Sequence, residues 1–128
     1  MEARVATALG CVEVDLETDA AVLVDEEAPV PASVAVSLPL VVAADQVGAR
    51  IVVVVDRRPP LVVSDDAGLT WREAGGGLPA GVAIAIASDD PDLLLYASES
   101  RLFLSQDGGR FWRGLTCELI GITAVAFS

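Results

Sequence analysis

The sequence predicts an all-β chain of about three four-stranded antiparallel blades of the β-propeller kind, and three observations carry that expectation. An eight-residue pattern recurs at an offset of 41 residues. Each occurrence follows short runs rich in Val, Ile and Leu and bounded by Gly, Pro or Asp, which is how strands rather than helices are written. The repeat so defined is about 40–45 residues long and holds four strands, the size of one propeller blade.

The elements follow in order. Arg4 to Leu9, Cys11 to Leu16 and Ala21 to Val24 read as three strands, with Glu17 to Val24 as a degenerate turn that keeps only Asp19 at the repeat's aspartate position. Asp19 stands 47 residues before Asp66, and the excess over the repeat falls in the connector Pro29-Val30-Pro31. The second blade reads as Leu40 to Ala44, Ile51 to Val55, Leu61 to Val63 and a frayed outer strand, Arg72 to Ala74. The third reads as Val82 to Ala87, Leu93 to Ala97, Leu102 to Leu104 and Arg113 to Thr116. The expected boundaries are therefore 1–33, 34–79 and 80–121, with a leftover inner strand in 122–128. The chain thus starts on a second strand and stops, at Ile122 to Phe127, on a first one. That offset is what ring closure by strand exchange requires. Three blades are fewer than the usual four to eight, so the expectation is a ring completed by another chain.

The repeated stretches are Ser64-Asp65-Asp66-Ala67-Gly68-Leu69-Thr70-Trp71 and Ser105-Gln106-Asp107-Gly108-Gly109-Arg110-Phe111-Trp112. Physical roles for these residues can be assigned directly. Asp66 and Asp107 accept hydrogen bonds from following backbone N–H groups, and Ser64 and Ser105 bond within the same turn. Gly68 and Gly109 take positive φ, while Trp71 and Trp112 offer large apolar bodies for packing between blades. The two stretches resemble the Asp-box, or BNR, repeat, Ser-x-Asp-x-Gly-x-Thr-Trp, known from sialidases, sortilin-type receptors, xyloglucan-cleaving enzymes and photosystem II assembly factors. The first matches at every specified position, Thr70 included, and the second departs at Phe111. The resemblance implies a β-propeller in which these residues are scaffold and catalysis, where present, lies elsewhere on the inner blade edges.

Composition narrows the function. Nineteen acids face eight bases, all of them Arg, for a net charge of −11, which would repel a nucleic-acid backbone. There is no His, which removes the commonest general base and zinc ligand and the imidazole triads. Cys11 and Cys117 are isolated and are expected to be free thiols, without metal-ligand spacing. No run approaches the roughly 18 apolar residues of a membrane helix, and Met1 to Glu13 lacks a signal-peptide core. No cofactor, metal or membrane partner is expected, and the location read from this is cytoplasmic.

Other features read as structure. A sialidase-like site would need three arginines, a Tyr–Glu pair and a further acid, but the one tyrosine, Tyr96, lies in the apolar run Leu93 to Ala97 with Glu99 beyond it. Asp89-Asp90-Pro91-Asp92 lacks the ligand pattern of an EF-hand, and Gly75-Gly76-Gly77 lacks the Lys and Ser/Thr of a phosphate loop. Asp56-Arg57-Arg58-Pro59-Pro60 reads as a surface turn. The functional expectation is a non-catalytic scaffold or binding module that closes as a homodimer of six blades or with another propeller chain. The alternative is a subunit of a glycoside hydrolase or sialidase-like enzyme whose site forms only on assembly, although no pair among the acids stands out for glycoside cleavage.

Overall fold

A computed structural model describes residues 1–128. The chain forms twelve strands and no helix: β1 (Glu2–Thr7), β2 (Gly10–Asp15), β3 (Ala21–Leu23), β4 (Val41–Val47), β5 (Arg50–Val55), β6 (Leu61–Ser64), β7 (Arg72–Ala74), β8 (Ala83–Ala87), β9 (Asp90–Ala97), β10 (Arg101–Ser105), β11 (Arg113–Glu118) and β12 (Ala124–Phe127). They make three four-stranded antiparallel sheets, β12-β1-β2-β3, β4-β5-β6-β7 and β8-β9-β10-β11. These are the three blades.

The leftover strand finds its place within the chain. β12 pairs antiparallel with β1, Ala3 opposite Phe127 and Ala6 opposite Ala124, so the last strand supplies the inner strand of the first blade. The first blade is thus complete as 124–127 plus 2–23, rather than spanning 1–33. Between blades, β8 packs on both β4 and β12, which sets the spatial order second, third, first. No helix is long and apolar enough to cross a membrane.

Two cores hold the arc together, both built on opposite faces of the third blade. Leu95, Leu102, Leu104, Leu115 and Ala85 meet Ala3, Val5, Val12, Val14 and Leu16 of the first blade. Ile84, Ile86, Leu94 and Tyr96 meet Val52, Val54, Leu61 and Val63 of the second. The alternation of strand side chains explains the division, since Leu94 and Leu95 are neighbours on β9 and point to opposite faces.

The second blade's remaining face, with Ile51, Val53, Val55 and Val62, meets no further blade. It is covered by Val34, Val36 and Leu38 from the segment between β3 and β4. This strap runs without a ladder, yet its exposure alternates: Val34, Val36 and Leu38 turn inward while Ala35 and Ser37 are exposed. It was expected to belong to the second blade from residue 34. Instead that blade begins at Val41, because β5 pairs with 41–47, and residues 34–38 serve as a lid. The corresponding face of the first blade is mixed, with charged residues beside Ala6, Cys11 and Val22. Glu2, Arg4 and Glu13 share it by register, and Arg4 is ion-paired with Glu26. Neither terminal face is therefore the bare Val, Leu and Ile surface that three open blades suggest.

Candidate functional site

The two octapeptide turns behave as closed hydrogen-bonded units. In the second blade, Ser64 Oγ donates to Asp66 Oδ1 at 2.8 Å and accepts the Gly68 N–H at 2.8 Å. Asp66 accepts the Thr70 N–H at 2.8 Å and the Thr70 hydroxyl at 2.6 Å. These donors, first the Thr70 hydroxyl, then its N–H and Ser64, hold the Asp66 carboxyl down at about 2. In the third blade, Ser105 repeats the Ser64 pattern. Phe111 offers no hydroxyl, so Asp107 takes the N–H groups of Phe111 and Arg110 instead, at 3.0 and 3.1 Å. Its carboxyl is also lowered, chiefly by the Phe111 N–H. Gly68 and Gly109 both sit at φ +93°, where a side chain would be strained.

The tryptophans differ in what they meet. Trp112 donates its indole N–H to Gly109 O at 3.0 Å and packs into the junction between the second and third blades. There it stands edge-on to Tyr96 with ring centroids 5.9 Å apart. Trp71 lies on the second blade's strap-covered face, so only one of the two packs between blades. The Tyr96 hydroxyl donates to Pro79 O at 2.6 Å, and burial pushes its pKa up to about 12. Tyr96 is thus a core residue, its hydroxyl engaged within the scaffold.

Asp19 does not stand where the repeat's aspartate stands. Asp15 holds the first blade's turn, accepting the N–H groups of Glu17 and Thr18 at 2.9 and 3.2 Å. Asp19, at φ +64°, reaches instead into the third blade. It accepts Arg113 Nη1 at 2.9 Å and the Thr116 N–H at 3.0 Å, and Arg113 leads the causes that depress its carboxyl pKa. Sequence distance concealed this, since the partners are 94 residues apart or more. Arg72 follows Trp71 as Arg113 follows Trp112, and it too reaches the next blade, donating to Gly108 O at 2.7 Å. The arginine after each tryptophan is a staple to the neighbouring blade. Its repeat at the same 41-residue offset was the signal available in the sequence.

The remaining sequence features are tied into the scaffold. Arg57 pairs with Glu73 at 3.0 Å and Arg58 donates to Leu78 O. Arg50 bridges Asp65 and Asp92 and donates to Pro91 O at 2.7 Å. Gly75 and Gly77 sit at φ +76° and +94° in the turn leading to Leu78. Cys11 is buried, Cys117 half-buried, and both are free; burial raises the Cys117 thiol.

Where the inner strands converge lies a cavity of about 290 Å³, lined by β4, β8, β12 and the segment Val30-Pro31-Ala32. Its carboxylate, Asp45, accepts the Gln46 N–H at 2.8 Å and, across the blade junction, the Ile86 N–H at 2.8 Å. Both oxygens are therefore engaged in structure. No group of three His, Cys, Asp or Glu side chains is placed to hold a metal ion.

The outer rim offers a different kind of site. β3 is the outermost strand of the first blade, and Ala21, Val22 and Leu23 are all exposed, Val22 by 61% and Leu23 by 58%. Its acidic surroundings are Glu13, opposite Val22, and the exposed Asp25, Glu26 and Glu27 that follow. The Glu13 carboxyl is raised, first by its hydrogen bond to Glu2, then by that group's charge. Compared with protein-family models, with curated proteins and with solved structures, the chain matches none.

Proposed function

We propose that the chain is a non-catalytic scaffold of the Asp-box propeller type, a binding module that works by associating with another protein chain. The observation that carries this reading is the bare, apolar outer edge of the first blade. An exposed strand of that kind is a template for pairing with a second chain. Supporting it, the polar groups of both octapeptide turns and of Asp45 are engaged in holding the backbone, which suits a rigid platform. Two free cysteines fit a reducing, cytoplasmic setting.

A second reading is the homodimer of six blades. It is favoured by the fan of inner strands β4, β8 and β12 around one cavity, which two copies would extend to six blades. A second copy docking on the second blade would have to displace Val34, Val36 and Leu38. The assembled enzyme subunit is the weaker alternative, since the cavity's Asp45 already accepts two backbone N–H groups.

Sedimentation of the purified chain over a wide concentration range separates these. A monomer throughout is the expected result and leaves the partner a different protein. A reversible dimer that Val36→Asp strengthens, by loosening the strap from the face a second copy needs, would move the reading to the ring of two copies. Turnover of chromogenic glycosides by the chain, or by that dimer, would overturn the non-catalytic reading.

A further inference from the structure

The three blades do not treat their outer edges alike. β7 carries Arg72 and Glu73, the latter ion-paired with Arg57. β11 begins and ends on charge, Arg113 and Glu118, and its ladder with β10 slips register between Arg101 and Phe103. Charged residues and irregular pairing are ordinary ways of blunting an edge. β3, with the sequence Ala21-Val22-Leu23, has neither.

The hydrogen-bond phase of β3 can be read from its ends. Asp15 N–H donates to Ala20 O and Val24 N–H donates to Cys11 O, each at 2.8–2.9 Å, and Glu13 lies opposite Val22. Antiparallel pairs alternate between bonded and non-bonded positions. Residues 20, 22 and 24 therefore turn their main chain toward β2, and Ala21 and Leu23 turn their N–H and C=O groups outward to solvent. The free edge is a two-residue docking strip with apolar side chains and acids at its border.

We propose that this edge takes up an extended, basic segment of another protein, which adds to the first blade as a fifth strand; this rests on the binding-module reading above. Charge decides between that occupant and a second copy. Antiparallel self-pairing of β3 would bring together two edges that are each followed by the exposed acids Asp25, Glu26 and Glu27. Each copy carries a net charge of −11, so bringing two such surfaces together is opposed by repulsion. A strand with lysines or arginines at those flanks would face acids instead. Main-chain bonds to Ala21 and Leu23 would supply the pairing, and Glu13, Asp25 and Glu27 the selectivity for positive charge.

The test is titration of the isotope-labelled full chain with a capped peptide of alternating valine and lysine, followed by amide shifts and amide exchange. The expected result is saturable shifts at Ala20 to Asp25, with slowed exchange at Ala21 and Leu23. Binding should weaken as salt rises from about 0.01 M to about 1 M, over which the Debye length falls from about 30 to about 3 Å. Leu23→Pro removes an outward N–H and leaves the Val22 pair intact, so it should abolish the slowed exchange while the chain keeps its fold. Asp25→Asn with Glu27→Gln should weaken binding about tenfold. Shifts spread over the acidic surface, with no protection of Ala21 and Leu23, would overturn the inference, as would binding unchanged in Leu23→Pro. Protection of those amides in the free chain, growing with its concentration, would assign the edge to a second copy and likewise overturn it. Saturable binding of the peptide at another edge would sink the assignment of β3 but leave the binding module standing.

Discussion

The third blade is held on its two sides by different means. Toward the second blade its junction is aromatic: Tyr96 is fully buried there, with Trp112 and Phe103 against it at ring separations of 5.9 and 6.2 Å. Toward the first blade the buried residues are aliphatic throughout, and the outer end is clamped by Asp19 and Arg113. The difference follows from the turns. Trp112, from the third blade's octapeptide, fills the junction with the second blade. The first blade's turn lacks a tryptophan, and a larger aliphatic surface takes its place, with the Asp19–Arg113 pair at the rim. A repeat can thus lose its signature residue and keep its neighbour contact by other chemistry.

The most severe way to break the aliphatic junction is to end the chain at Gly121. That removes Ile122, Ala124 and Val125, all buried, together with the ladder to β1. Full burial of Ile or Val contributes about 1.5–3 kcal/mol each, against a typical domain stability of about 5–15 kcal/mol. The truncated chain should lose cooperative thermal unfolding, seen by far-UV circular dichroism. A sharp transition retained at nearly the same temperature would show that β12 is dispensable.

A matched pair compares the junctions more finely. Leu94→Ala opens a cavity in the aromatic junction and Leu95→Ala one in the aliphatic junction, each at a fully buried site. Both should cost about 2–5 kcal/mol in urea unfolding. Leu94 is expected at the upper end, because the Tyr96 ring and its bond to Pro79 O cannot shift to fill the space. Tyr96 is further fixed by Gly81, where a Cβ would overlap the phenol ring, so Gly81→Ala should destabilise on the same side. A larger loss for Leu95 than for Leu94 would reverse the ranking of the two junctions.

Acid separates the ion-paired clamp from the turns. Asp19, Asp66 and Asp107 all have carboxyl pKa values below the ordinary 3.8. A depressed carboxyl stabilises the fold fully above its unfolded value and loses that contribution as pH falls through its folded value. Stability should therefore decline between about pH 4 and pH 2, the lower limit set by Asp66. In Asp19→Asn the decline should be shallower and the melting temperature at neutral pH lower, whereas Glu13, raised by Glu2, contributes with the opposite sign. A wild-type decline unchanged by Asp19→Asn would remove the clamp from this account.

The smallest expected effect restores the regular turn. Phe111→Thr gives Asp107 the hydroxyl donor that Asp66 receives from Thr70, and Phe111 is 79% exposed, so little packing is lost. The melting temperature should rise slightly and the Asp107 carboxyl should titrate lower by NMR.

The strand and turn pattern was legible because the octapeptide concentrates its chemistry within eight neighbouring residues. Ser64 with Gly68 and Asp66 with Thr70 are local bonds that a sequence can display. Asp19 was misassigned for the opposite reason: its partners lie on another blade, and its place in the turn looked like the repeat's aspartate. The strap was read as connector and blade, since Val34, Val36 and Leu38 alternate as a strand does but find a face instead of a ladder. The edge at β3 was visible as an apolar run, yet which of its main-chain groups stay free depends on register, which only the pairing with β2 fixes.

The pairing of β1 with β12 also bears on synthesis. During translation at about 5–20 residues per second, β1 waits on the order of ten seconds before its inner neighbour exists. Through that interval three strands of the first blade stand with a second bare edge, while the other two blades emerge and are free to form. The arc is thus set to close from its far end backward, and the nascent chain is most vulnerable to pairing with the wrong strand just before its own last one arrives.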